Sequence, residues 1–233
     1  WAKENLWKEC TVVSDEEFKN ACSDFYYKKT ISRINKFYDS THTLDKIETI
    51  NGMTTPTITE MLNAINKDWI CKPKQTGFHG DFILDNIILG EEGFTLLDWR
   101  QNFGGLIECG DMYYDLAKLN HNLVVNHEIV NNNLFTVKKV KGEVVVDIHR
   151  RQSLIECQQT YHNWIVENGY DLNKVKVLTS LIWLNMSALH HHPFDEFLYY
   201  YGKYTLIKTL GELENEFTPT YELKSASRVQ EVL

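Results

Sequence analysis

Apolar positions recur along this chain with two different periods, and the changes of period mark out its elements. From Ser14 onward the series Phe18, Cys22, Phe25, Tyr26, Ile31, Ile34 and Phe37 recurs near the helical period. Ser14-Asp-Glu-Glu17 is a capping box at its start, a hydroxyl and a carboxylate placed to satisfy the free N–H groups of a first turn. Residues 39–56 are polar and hold Gly52 and Pro56, which predicts a loop with room for a short helix. A second capping box, Thr57-Ile-Thr-Glu60, opens a helix running to about Trp69. Asp111 to about Val125 is helical, with Tyr114, Leu116, Leu119 and Leu123 among its apolar positions. Three more helices are predicted over 150–168, 172–187 and 194–215. Gly169 ends the first, Asp171 caps the second and Pro193 separates the second from the third.

Two stretches change to strand character. Asn86-Ile-Ile-Leu89 and Phe94-Thr-Leu-Leu97 flank the turn Gly90-Glu-Glu-Gly93. Leu134 to Val140 and Glu143 to Ile148 flank Lys141-Gly142, a turn with glycine where positive φ is easy. The second hairpin, about 134–149, reads as an insertion between helices. The pattern predicts a mainly α chain with small β-hairpins (α+β), forming one body over 1–218, with a polar tail over 219–233. No internal repeat or low-complexity segment interrupts it.

Composition narrows the class. A chain of 233 residues fits one large domain or one and a half small ones, with ample apolar content for a core. A net charge of −8 leaves no basic footprint, which argues against nucleic acid as the main partner. The five cysteines, Cys10, Cys22, Cys71, Cys109 and Cys157, are odd in number, scattered and without a C-x-x-C pair. That pattern argues against a disulfide framework and a zinc site and fits a reducing cytoplasm. No apolar stretch approaches the ~18–20 residues of a membrane span, and no signal peptide is visible.

The candidate chemistry is concentrated around the first hairpin. In His79-Gly80-Asp81 an Asp lies two residues after a His; Asn86 lies five after that Asp, and Asp98-Trp99 begins twelve after Asn86. Folding back the hairpin brings Asp98 close to Asn86, and two oxygen ligands from a tight hairpin suit magnesium, which takes few protein ligands. In the protein-kinase template a catalytic-loop Asp accepts the substrate hydroxyl proton, while an Asn five residues later and a following Asp hold the metal ions. Gly80 stands where protein kinases have Arg.

His79-Gly-Asp81, Asn86, Asp98-Trp99 and the later Gly110-Asp-Met-Tyr-Tyr-Asp115-Leu-Ala117 resemble the aminoglycoside phosphotransferase and choline/ethanolamine kinase-like superfamily. The specific match covers residues 77 to 119. The resemblance implies a protein-kinase-like C-lobe and transfer of the ATP γ-phosphate to a small-molecule hydroxyl. It implies that Asp81 is the catalytic base, that His79 is a structural residue of the catalytic loop, and that Asn86 and Asp98 bind Mg2+. Asp115 would brace the loop from the following helix, and Trp99 would pack the metal loop. Many members of the superfamily carry an acidic residue after the Asp-Trp pair, where this chain has Arg100; that side chain either contacts a phosphate or turns away to pair with Glu108 or Asp111. The residues before Gly77 read as helices and contain no G-x-G-x-x-G and no strand with a V-A-I-K-like Lys. The expectation is a C-lobe whose N-lobe, or a fused domain such as a nucleotidyltransferase, lies upstream of Trp1, the other reading being an N-lobe that was replaced or lost. The alternative is a non-catalytic kinase-like binding or scaffold module.

The acceptor is not legible. Choline or ethanolamine, an aminoglycoside, a sugar and an amino-acid hydroxyl all stay open. Trp164, Trp183, Tyr199, Tyr200 and Tyr201 read as core, the other reading being an aromatic box for a quaternary ammonium. Their presence and the acidity favour an amino alcohol, whereas Arg100 favours something anionic such as a sugar phosphate. His190-His-His192 reads as a helix–helix junction, the other reading being a contact in the substrate pocket. His121 and His127 read as helix-surface or core-edge residues.

Overall fold

The computed structural model describes residues 1–217, with side chains through residue 213. The tail predicted over 219–233 lies outside the described residues. The chain is a mixed α/β body in which helices predominate and two small sheets lie among them.

After a short helix α1 (Ala2–Asn5), α2 (Asp15–Ser23) starts at Ser14, whose hydroxyl accepts from the Glu17 N–H. It passes without a break through a π-helical turn, Asp24–Lys28, into α3 (Lys29–Thr41). The turn inserts residues into the α ladder, and it buries the three consecutive aromatics Phe25, Tyr26 and Tyr27. Ile31, counted in the apolar series, is instead exposed.

Residues 39–56 are not a loop. They hold β1 (Glu48–Ile50) and β2 (Met53–Thr55), joined by Asn51-Gly52, both with positive φ. The capping box at Thr57 and Glu60 forms with both of its bonds and opens α4 (Ile58–Ala64), after which α5 (Lys67–Ile70) restarts from an Asn66 cap. The predicted single helix to Trp69 is thus two, broken at Ile65, whose φ and ψ are extended.

The predicted hairpin forms as β3 (Ile87–Gly90) and β4 (Gly93–Leu96), with Ile87 opposite Leu96 and Gly90 opposite Gly93, so both glycines of the predicted turn belong to the strands. Asp111 caps α6 (Met112–Val124), and a short α7 (His127–Asn131) follows. The second hairpin is β5 (Phe135–Val140) and β6 (Glu143–Ile148). It is no free-standing insertion: β6 pairs in parallel with β1, giving one four-stranded sheet in the order β2-β1-β6-β5. The Asn51 side chain completes the junction through two bonds to the Val146 backbone.

The last three helices, α8 (Gln152–Glu167), α9 (Leu172–Ser187) and α10 (Phe194–Phe217), lie where the spacing predicts them. Helix α9 is the centre of the body, packed by α10, α6 and α3 and apolar nearly all round, as a helix with no solvent face should be. Lys203 of α10, fully buried, donates to the Lys46 carbonyl and to Glu48, and so ties the sheet to the helices. Among the described residues no helix is long and apolar enough to cross a membrane, and all five cysteines are free thiols.

Candidate active site

The loop from His79 to Asn86 is held from three sides. From α6, the buried Asp115 carboxylate accepts from the backbone N–H groups of His79 and Gly80, each at 2.7 Å, and from the Trp7 indole at 2.9 Å. Burial pushes its carboxyl up to about 6, against the pull of those three donors. Two turns on, Asn122 accepts from the Leu84 N–H and donates to Asp85. From the hairpin, the Leu97 carbonyl lies 2.7 Å from His79 Nε2.

His79 is fixed in one tautomer. The Asp81 N–H donates to its Nδ1, so that nitrogen carries no proton, and Nε2–H donates to Leu97. Burial lowers its pKa, which keeps the ring neutral. The residue therefore links the loop to the hairpin and is closed off from solvent. The Trp99 ring packs on it at 4.8 Å, and half of that indole is exposed.

Asp81 is gripped at both oxygens. Lys118 Nζ stands 2.6 Å from Oδ1, and Asn86 Nδ2 donates to Oδ2 at 3.2 Å and to the Asp81 carbonyl at 3.0 Å. The Leu97 N–H donates to the Asn86 carbonyl at the base of the hairpin, which sets Asn86 against the residue before Asp98. Asp98 sits at φ 57, the left-handed region that few side chains other than Asn and Asp accept. Among the described residues no hydrogen bond or ion pair engages its carboxylate.

Arg100 does not pair with Glu108 or Asp111. Its Nε donates to the Gly80 carbonyl, and its guanidinium lies 5.4 Å and 5.6 Å from the Phe25 and Tyr114 ring centres. Gly80 makes this possible: at φ 83 it has no Cβ, and one built there would fall 2.4 Å from Arg100 Cβ.

Asp81, Asp98 and Arg100 open onto one cleft of about 530 Å³, lined also by Lys29, Arg33, Tyr114, Lys118, Met186 and His190. Lys118, Lys29 and Arg33 were not singled out in the sequence. The first had a signal: Asp111, the cap of α6, and Asp115, Lys118 and Asn122 within it recur at helical spacing on one face, as a polar stripe. The other two had none, because the π turn sets their direction.

The chain matches no protein-family model, no curated protein and no solved structure.

Among the described residues no three His, Cys, Asp or Glu side chains converge as a metal-binding group. The carboxylates lining the cleft are those of Asp81 and Asp98; beside Asp81 is Asn86, whose Nδ2 is spent on Asp81 while its Oδ1 has no hydrogen-bond partner among the described residues. This donor set suits magnesium, which binds hard oxygens and keeps water and phosphate oxygens for the rest.

The remaining candidates fall elsewhere. His121 is buried in α6, and His127 lies 3.0 Å from Asp85. His190 to His192 connect α9 to α10, and His190 of that run reaches the cleft. Tyr199 stacks on Phe37 in the core, while Trp183 and Tyr201 line a separate cavity of about 300 Å³ together with Arg150, Lys176 and Lys208. Those three cations make it a poor seat for a quaternary ammonium.

Proposed function

We propose that this chain is the catalytic body of an ATP- and magnesium-dependent phosphotransferase that moves the γ-phosphate to a hydroxyl of a small molecule, with a kinase-like C-lobe architecture of the aminoglycoside phosphotransferase and choline kinase-like kind. One observation carries the reading: the Asp81 and Asp98 carboxylates face one cleft, and Asn86, at the foot of the hairpin that leads to Asp98, is bonded to Asp81.

In this reading Asp81 orients the acceptor hydroxyl and takes its proton. Lys118 and Asn86 fix the rotamer of that carboxylate, so little reorganisation is needed as the acceptor reacts. Asn86 and Asp98 would hold magnesium, which when bound neutralises charge on the transferred phosphate. His79 and Asp115 keep the loop in shape without touching substrate. In the kinase template a second lobe covers the nucleotide, and such a lobe or a fused domain would act together with this body.

The test is a calorimetric titration of the chain with ATP and magnesium, beside Asp98→Ala, followed by turnover of Asp81→Asn with an acceptor that supports reaction. Magnesium-dependent binding that Asp98→Ala abolishes is expected, as is a loss in Asp81→Asn of about a thousandfold in kcat with ATP affinity kept. Wild-type turnover in Asp81→Asn would remove the base assignment.

A second reading, a non-catalytic binding module, draws on the exposed apolar side chains of the β3–β4 hairpin, Leu89 and Phe94 on one face, with Trp1 against Phe94, and Ile88 on the other. It predicts no magnesium-dependent nucleotide binding by any form of the protein.

A further inference from the structure

Three cations in the cleft have no carboxylate partner among the described residues. Lys29 and Arg33 are four apart on α3, a spacing at which like charges repel. Arg100 approaches from the loop after β4. Lys29 Nζ lies 3.9 Å and 5.7 Å from the centres of the Phe25 and Tyr114 rings, the same two rings that Arg100 faces. Two cations thus share one aromatic platform, and Arg33 stands beside them. The fourth cation, Lys118, is already matched by Asp81.

A chain with net charge −8 has ample carboxylates to neutralise such a cluster, yet the ion pairs along this helical run form elsewhere, Lys19 of α2 with Asp68 and Lys28 of the π turn with Asp24. Holding like charges together in a half-buried cleft costs free energy unless a counter-charge arrives. The Lys29 ammonium registers that cost: burial first, then Arg100, Arg33 and Lys118, hold its pKa down to about 7.

We propose that the acceptor is a hydroxyl compound that already carries a phosphate monoester, such as a sugar phosphate, and that Lys29, Arg33 and Arg100 seat that phosphate while Asp81 faces the hydroxyl. This rests on the phosphotransferase reading and names its substrate class. A dianion matches three unpaired cations better than a carboxylate does, and a guanidinium binds phosphate oxygens two at a time. A choline-type cation would meet repulsion in the same cleft. The reaction transfers the γ-phosphoryl group: the bond from the γ-phosphorus to its bridging oxygen breaks, the acceptor oxygen bonds to phosphorus, Asp81 takes the hydroxyl proton, and ADP leaves.

Glycerol 3-phosphate, which has both groups, is the probe, with glycerol and choline as controls. Calorimetry on the wild-type chain, with and without magnesium and ADP, is expected to show binding of glycerol 3-phosphate that persists with nucleotide present, and none of the controls. Arg33→Gln and Lys29→Gln should each weaken it about tenfold, as loss of one charge-assisted contact does. Lys29→Arg should restore it.

A pH readout separates a direct contact from a packing role. The groups facing Lys29 are Arg33 on its own helix, Arg100, Lys118 of α6, the carboxylates Asp81 and Asp98, and His190. A bound dianion raises the Lys29 pKa, so binding should weaken as pH rises above about 7, by at most about tenfold per unit, and Lys29→Arg should flatten that slope.

Displacement of glycerol 3-phosphate by ADP and magnesium would assign the three cations to the nucleotide and overturn the proposal, as would unchanged binding in both Gln variants. Preference for choline would do the same. If ATP and magnesium bind but glycerol 3-phosphate does not, the substrate class fails while the phosphotransferase reading stands. If glycerol 3-phosphate binds but ATP and magnesium do not, in a chain extended upstream as well, the phosphotransferase reading fails and takes the acceptor role with it.

Discussion

The two hairpins carry the same local signal and have opposite fates. Both alternate β-formers around a glycine turn. Yet β5–β6 is absorbed into a sheet, with Val144 and Val146 buried and β1 added along its edge, whereas β3–β4 stands alone with Leu89 72% exposed. Only its base, Ile87 and Leu96, packs on the core. A two-stranded ribbon has little stability by itself, so β3–β4 survives through what its ends hold: Asn86 on one side, Leu97 and Asp98 on the other. One hairpin is structural stock; the other is a clamp for the site.

The strongest way to break that contrast is at the clamp's end. Asp98→Asn should lower turnover by about a hundredfold or more and leave the melting temperature unchanged, because Asn also accepts positive φ. A fall in melting temperature with activity kept would make Asp98 a turn residue only.

Next comes the clamp's anchor. Asp115→Ala leaves three N–H donors without an acceptor, and urea melts should show a loss of about 3–5 kcal/mol. The wild-type carboxyl also has a pH signature. Its folded pKa is raised from 3.8 to about 6, so its contribution is full below about 4 and is lost as pH rises through about 6. Asp115→Asn should remove that part of the stability profile, and an unchanged profile would mean the carboxylate is ionised throughout.

Within the buried hairpin, Val146→Ala should cost about 2 kcal/mol in the same melts with kcat untouched. Smallest of all, Leu89→Ser at the tip of the exposed hairpin should shift stability by less than about 0.5 kcal/mol. A loss as large as that of Val146→Ala would mean the two hairpins do not differ as described.

The helices were legible because their signals are local: caps at Ser14, Thr57 and Asp171, and the apolar series of α6 and α9. The site's acidic and amide groups were legible for the same reason, since Asp81, Asn86 and Asp98 lie on one short loop and hairpin. What stayed hidden depends on distant partners. The strand character of Glu48–Ile50 is three residues long, too short for alternation to show, and its pairing with β6 joins Thr49 to the distant Glu143. Lys118, Lys29 and Arg33 carry no motif, and only the fold brings them to one cleft. Ile31 fits the apolar series only if the α period runs unbroken across Asp24–Lys28, where the π turn interrupts it.

That π turn has a consequence for how the site could be lost or gained. An α-helix turns by about 100° per residue, so one residue more or fewer re-phases everything downstream. Winding Asp24–Lys28 as a plain α turn, with no residue lost, would rotate Lys29 and Arg33 by roughly a quarter turn or more against Tyr114 and Arg100. The rotation would leave composition, charge and helix length almost unchanged. The cation cluster of the cleft is therefore encoded as a frame as well as a set of residues, and a change in how this turn winds is a larger event for it than most substitutions.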